Sequence, residues 1–213
     1  MNGVKFDDIH SYDDLHLIML PFAPTPAKPK TSFLKVPGRD GTLDLTEAHG
    51  EVKYNDRVFT FTFVIAQGDQ MTFDERVTAV SNAINGKRCK ITLDRDPQWY
   101  WIGRCEVNKV QRSRNSAKIV VKATVQPYKV NQQEVKISLS ENVQRLMIPH
   151  SGMSVVPTFH CTEEGAKVAF GGVFYTLPTG ESKIPDISFT EGTNILEAKG
   201  TGTMMVTWQR RSL

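Results

Sequence analysis

Cysteine is scarce in this chain of 213 residues, where Cys89, Cys105 and Cys161 make an odd number at wide spacing. No CxxC pair occurs, which excludes a disulfide framework and a cysteine-built zinc site. A reducing compartment during synthesis fits such usage. Histidine is equally thin: His10, His16, His49, His150 and His160 form no HxH, HExxH or HxxxH pair. His160 and Cys161 are adjacent, and neighbours on a strand point to opposite faces, so they do not converge on one ion. A GxSxG elbow and a Walker loop are both absent. These absences together predict a chain that is not an enzyme, with no catalytic, metal or cofactor residues and no cofactor.

Long apolar runs are missing as well. The first one, Leu15 to Phe22, is interrupted by His16 and Pro21 and is too short to span a bilayer. Acids at Asp7 and Asp8 stand where a secretory leader carries bases. The expectation is a soluble chain with no membrane partner and no ordinary export signal. Charge of one sign is lacking too, since 26 Lys and Arg face 23 Asp and Glu for a formal net charge of +3. Bases are in mild excess before residue 130 and acids in slight excess after it. The basic stretch around Arg112 and Arg114 has no interleaved aromatics, so a sequence-specific nucleic-acid partner is not expected. With 39% hydrophobic and 23% charged residues, the chain has enough apolar surface to build a core.

What is present is β-patterning. In Val52 to Ile65, Phe59, Phe61 and Phe63 alternate with Val58, Thr60 and Thr62. Period two puts the three rings on one face, as the buried side of a sheet rather than a ligand platform. One helix is predicted over Phe73 to Asn85, where Phe73, Val77, Val80 and Ile84 form an apolar stripe. Thr72 with Glu75 makes a capping box, and Gly86 suits a left-handed stop. Strands follow at Cys89 to Leu93, Trp99 to Val110 and Lys118 to Val125, the last with Ile119, Val121, Ala123 and Val125 on one face. Asp94 and Asp96 lie two apart, a spacing that suits paired carboxylates on one face, but a turn ending in Asp-Pro explains them as well. Trp99-Tyr100-Trp101 has the makings of a sugar platform, with packing as the plainer use.

Five prolines between Pro21 and Pro37 preclude a helix and favour an extended arm carrying Lys28, Lys30 and Lys35. A proline-ligand motif is the sharper reading and a stiff exposed loop the plainer one. Asn131 to Glu134 reads as a polar connector. Beyond it come seven short strands: Val135 to Leu139, Val143 to Ile148, Val155 to Cys161, Lys167 to Leu177, Lys183 to Phe189, Asn194 to Ala198 and Thr203 to Gln209. That pattern suggests a β-sandwich. The predicted domains are 1–130 and 131–213.

Residues 36–63 carry a more specific signal: a Pro37 to Gly41 turn, a Leu43 to Leu45 strand, and Tyr54 with Arg57 ahead of Phe59 to Phe63. Helix, short strand, Asp94 to Pro97 turn, Tyr100-Trp101 and a closing Pro127 to Lys129 follow in order. This resembles the distal tail protein (Dit) family of phages with long non-contractile tails. Phe189 to Leu196 and the end through Trp208 are similar to that family's second domain. The resemblance implies a mainly β fold: an N-terminal split β-barrel-like domain with one α-helix, and a C-terminal galectin-like β-sandwich. It implies a structural baseplate hub at the virion tail tip, assembled in the host cytoplasm. The partners it implies are itself in a homohexameric ring, the tail tube protein, and a tail-associated adhesion or tail-lysin protein. The competing expectation is a galectin-like carbohydrate-binding module for a host cell-wall glycan, motivated by Phe174-Tyr175.

Overall fold

Alternation at period two decides the first half of the chain. In a computed structural model that describes residues 3–48, 50–65, 72–112 and 117–213, Phe59, Phe61 and Phe63 are wholly buried while Val58 is 49% exposed. Two units emerge, Met1–Lys129 together with Leu213, and Val130–Ser212. The protein is mainly β, with antiparallel sheets and, among the described residues, one helix.

The first unit contains β1 (Val4–Phe6), β2 (Ile9–His10), β3 (Leu17–Met19), β4 (Phe33–Lys35), β5 (Thr42–Asp44), β6 (Arg57–Ile65), α1 (Phe73–Ile84), β7 (Arg88–Leu93), β8 (Tyr100–Arg112) and β9 (Ala117–Val125). Its main sheet runs β3-β6-β9-β8-β7-β1-β2, every pair antiparallel. The register sets Phe59 opposite Ala123, Phe61 opposite Val121 and Phe63 opposite Ile119. Large rings thus face smaller side chains, which fills the layer without clashes. β1 and β6 are four strand spacings apart, roughly 19 Å if the sheet were flat. Yet the Phe6 and Phe61 rings meet edge to face at 5.8 Å. The sheet therefore curls over its own core, which twist favours.

The helix starts as its cap dictates. Thr72 Oγ1 accepts from the Glu75 amide and Glu75 Oε2 accepts from the Thr72 amide, closing the capping box. Val80 and Ile84 are fully buried in the same core cluster as the three phenylalanines. Phe73 and Val77 are only half-buried. Arg76 is buried in the helix's first half, its Nη1 donating to the Leu15 carbonyl at 2.9 Å. The apolar stripe is therefore shorter than the four-residue pattern, and a hydrogen-bonded guanidinium shares its face. Gly86 follows with a φ of 73°.

The second unit holds β10 (Lys129–Ser138), β11 (Gln144–His150), β12 (Thr158–Cys161), β13 (Lys167–Phe170), β14 (Val173–Thr176), β15 (Gly180–Lys183), β16 (Gly192–Lys199) and β17 (Thr203–Ser212). One four-stranded set runs β15-β12-β17-β10 and the other β11-β16-β13-β14. Both supply one core: Phe159, Cys161, Met204, Val206 and Trp208 from the first, Ile148, Val168, Leu196 and Ala198 from the second.

Three expectations are corrected here. Asn131 to Glu134 is not a connector but part of β10, with Val130 and Asn131 buried. Its amide side chains mask the alternation that Val135 and Ile137 continue. Lys167 to Leu177 is two strands, because Gly171 and Gly172 both take positive φ and turn the chain so that Phe170 pairs with Val173. Such a Gly-Gly hairpin turn has a physical signature in sequence, since only glycine adopts both conformations without strain. Lys183 to Phe189 is not a strand: β15 ends at Lys183, and Pro185 interrupts a segment that buries Ile187 and Phe189.

Val80→Asp buries an unpaired carboxylate and should cost roughly 3–5 kcal/mol. Thr78→Asp on the exposed side of α1 should change stability little. Urea denaturation of both variants checks this, and a wild-type midpoint for Val80→Asp would remove α1 from the core.

Candidate functional site

The residues that suggested chemistry are engaged in structural ties. His10 is buried, with Nδ1 2.7 Å from Asp13 Oδ2 and Nε2 3.2 Å from Asp94. Asp96 accepts from Lys129 Nζ at 2.9 Å. The two aspartates of the turn thus hold different partners and do not form a carboxylate pair. Trp101 is buried, while Trp99 lies just before β8 with Lys129 Nζ 4.7 Å from its ring centre. His160 is exposed and Cys161 buried, on opposite faces of β12. Burial, with Cys89 beside it, pushes the Cys105 thiol up to about 12, so it stays protonated and unreactive. Among the described residues no group of three or more His, Cys, Asp or Glu is arranged to hold a metal, and no helix is long and apolar enough to cross a membrane. His49 and the tip residues 113–116, Arg114 included, lie outside the described residues.

What the fold displays instead is an arm. Between Pro29 and Tyr54 the chain leaves the main sheet and returns, and β4 pairs with β5 as Phe33↔Asp44, Leu34↔Leu43 and Lys35↔Thr42. The proline-rich window is extended, as its composition predicts, but it ends in this hairpin rather than in a uniform polyproline stretch. Phe33 is 58% exposed, Leu34 50% and Val36 37%. A two-stranded hairpin with both faces in water is marginal alone, and exposed large apolar side chains mark contact surfaces.

The base of the arm is fixed by residues that are far apart in sequence. Lys30 donates to the Lys53 carbonyl at 2.7 Å and Asn55 to the Lys28 carbonyl at 2.9 Å. The Tyr54 and Tyr128 rings meet at 5.9 Å. Arg57 is 6% exposed; its Nε donates to the Thr25 carbonyl at 2.5 Å and its Nη1 to the Pro127 carbonyl at 3.2 Å. Its guanidinium lies 5.2 Å from the Phe59 ring centre and 5.8 Å from that of Trp101. Burial holds its pKa below the ordinary value. Tyr54, Arg57 and the Pro127 to Lys129 run, which sequence reading placed in one motif, thus meet around the arm's root. Thr25 was not singled out, because its contribution is a backbone carbonyl.

In the second unit, β11 and β16 pair Met147 with Ile195, which are 74% and 54% exposed. Arg145 Nε donates to Glu197 Oε1 at 2.8 Å. Phe174 is 46% exposed, with Lys199 Nζ 5.2 Å from its ring centre.

A family model described as the phage tail protein RIFT-related domain matches residues 10–139. Among solved structures, the chain is similar over its full length, and over the full length of the other chain, to the Dit protein of phage SPP1, at 14% identity and a TM-score of 0.67. That protein is described as a paradigm of the hub adsorption apparatus in phages infecting Gram-positive bacteria. No curated protein matches the chain.

Arg57→Ala should cost roughly 2–4 kcal/mol, because it strips the Thr25 and Pro127 carbonyls of their donor and opens space beside the buried Phe59 and Trp101. Trypsin should then cut faster at Lys30, Lys35 and Arg39 than in the wild type. Unchanged cleavage there would mean that Arg57 does not hold the arm.

Proposed function

The chain belongs to the phage tail protein RIFT-related domain family, and from that premise we propose that it is a distal tail protein, the baseplate hub of a siphophage tail. The observation that carries the reading is the end-to-end likeness of fold to the SPP1 hub protein, TM-score 0.67 over all of both chains. In this reading the first unit is a split β-barrel-like domain that builds the ring, and the second is a galectin-like β-sandwich that faces adhesion partners. The two are separable domains, taken as 1–130 and 131–213. The ring has six copies, the number implied by the resemblance at Pro37 to Phe63. One side docks on the tail tube protein and the other on an adhesion or tail-lysin protein, at the tip of the virion tail.

The role is structural and needs no catalysis. A terminal ring must match the rotational order of the tube it closes. Heterologous contacts, one flank against a different flank, close only at the right rotation. A curled sheet with a rigidly rooted arm supplies unlike flanks of that kind. The exposed arm makes a neighbouring copy the natural cover for Phe33 and Leu34.

A second reading is motivated by Phe174, half-exposed beside Lys199 on the second unit. An aromatic face flanked by polar groups is how many proteins hold a sugar ring. Titration with host cell-wall polysaccharide separates the two. Saturable binding lost in Phe174→Ala would favour a carbohydrate-binding module; no saturable signal is expected of a hub.

Gel filtration with light scattering at high concentration, together with images of tails, tests the ring. The expected result is a closed six-fold assembly. A strict monomer in solution with no six-fold density at the tail tip would overturn the hub reading. Limited proteolysis should cut first in the arm and not at residues 129–134, which β10 protects.

A further inference from the structure

An open groove of the first unit, about 880 Å3, lies on the outward side of the main sheet next to the end of α1. Val58 and Ile102 give it an apolar floor, and Arg88, Arg104 and Lys122 line it against the acids Asp56 and Glu106. Glu106 and Lys122 are direct cross-strand partners and offset each other. Arg88 and Arg104 are also direct partners, across β7 and β8. Like charges in that position destabilise a strand pair. Neither forms an ion pair among the described residues, and Arg104 Nη1 donates only to the Gly86 carbonyl, at 2.5 Å. The groove is therefore apolar at its floor and short of one anion at its wall.

The arm offers that combination. Cross-strand partners share a face, so Phe33 and Asp44 stand together on one side of the hairpin, with Lys35 and Thr42 two pairs further along on the same side. Asp44 presents a carboxylate: hydrogen bonds from the Thr46 side chain and from the Thr46 amide, the latter at 2.9 Å, hold its carboxyl below the usual range. Roughly nine residues separate the arm's root from its turn, a reach of about 30 Å in extended chain.

We propose that the groove is the seat of the β4–β5 hairpin of the next copy in the ring. Phe33 covers Val58 and Ile102, Asp44 sits between Arg88 and Arg104, and Lys35 meets one of the two groove acids. The proposal rests on the ring reading above and names the surfaces that close it. Each copy then gives an arm on one flank and receives one on another, which is the heterologous contact a ring requires.

The test uses the full chain and virion tails carrying the same substitutions. Asp44→Arg and Arg104→Asp, each alone, place like charges together and should weaken assembly about tenfold or more. The double variant Asp44→Arg/Arg104→Asp should restore it. Asp44→Cys with Arg104→Cys, oxidised with a copper–phenanthroline reagent, should give an intermolecular ladder on a non-reducing gel. Both positions are exposed, so folding is preserved, and thermal melting checks it. A ring that forms as in the wild type in both single variants, with no ladder, overturns the hairpin-in-groove contact and leaves the hub reading standing. A cross-link confined to one chain shows the arm on its own groove and also overturns it. Absence of any ring, in solution and in tails, overturns both.

Discussion

A buried guanidinium organises the first unit. Taking Arg57 out of water is costly, and the cost is offset only where its donors find carbonyls and its flat face finds aromatic rings. Thr25 and Pro127 supply the carbonyls, Phe59 and Trp101 the rings. These four residues come from the arm's first leg, the last turn of the unit, β6 and β8. Any displacement of one leaves a charge or a carbonyl unsatisfied, so the four segments are held in a single arrangement. The rows of phenylalanine stabilise the core by area, but they would tolerate small shifts. Arg57 does not, because hydrogen bonds are directional.

That rigidity explains how the protein displays an element that would be marginal alone. The β4–β5 hairpin has few contacts of its own and three exposed large apolar side chains. Its root is nevertheless clamped by backbone hydrogen bonds, by the Tyr54–Tyr128 contact and by Arg57. A clamped root lowers the entropy lost when the tip docks, which favours assembly over a freely moving loop. In the proposed ring that exposed apolar surface is covered by the neighbouring copy. The cationic groove with its facing arginines is locally unfavourable in one copy, and the proposed hairpin contact would relieve it.

The second unit has a different balance. Its core is fed by two four-stranded sets, and its apolar exposure is spread over Met147, Ile195 and Phe174 rather than on a projecting arm. Broad, flat exposure of that kind suits a docking face for another protein better than a pocket for a small ligand. The proposed division of labour, ring in the first unit and adhesion in the second, follows from this difference.

Much of the fold was legible because its signals are local. The capping box at Thr72 and Glu75, the alternation of Phe59 to Phe63 and the face built by Ile119 to Val125 each need only neighbouring residues, and each appears where the pattern puts it. Asn131 to Glu134 was misread because a strand that runs through four polar residues, one of them the buried Asn131, looks like a linker. The Gly171-Gly172 turn carried a readable signal that the apolar residues on either side obscured. What the sequence by itself determined was a mainly β, two-part chain with a single predicted helix and a projecting proline-rich segment, since periodicity and turn chemistry act over a few residues. Only the tertiary structure decided that Arg57 bridges Thr25 and Pro127, that two arginines face each other in a groove, and that Phe33 stands beside Asp44. Those contacts join residues from eleven to seventy positions apart, and no local rule of spacing relates them.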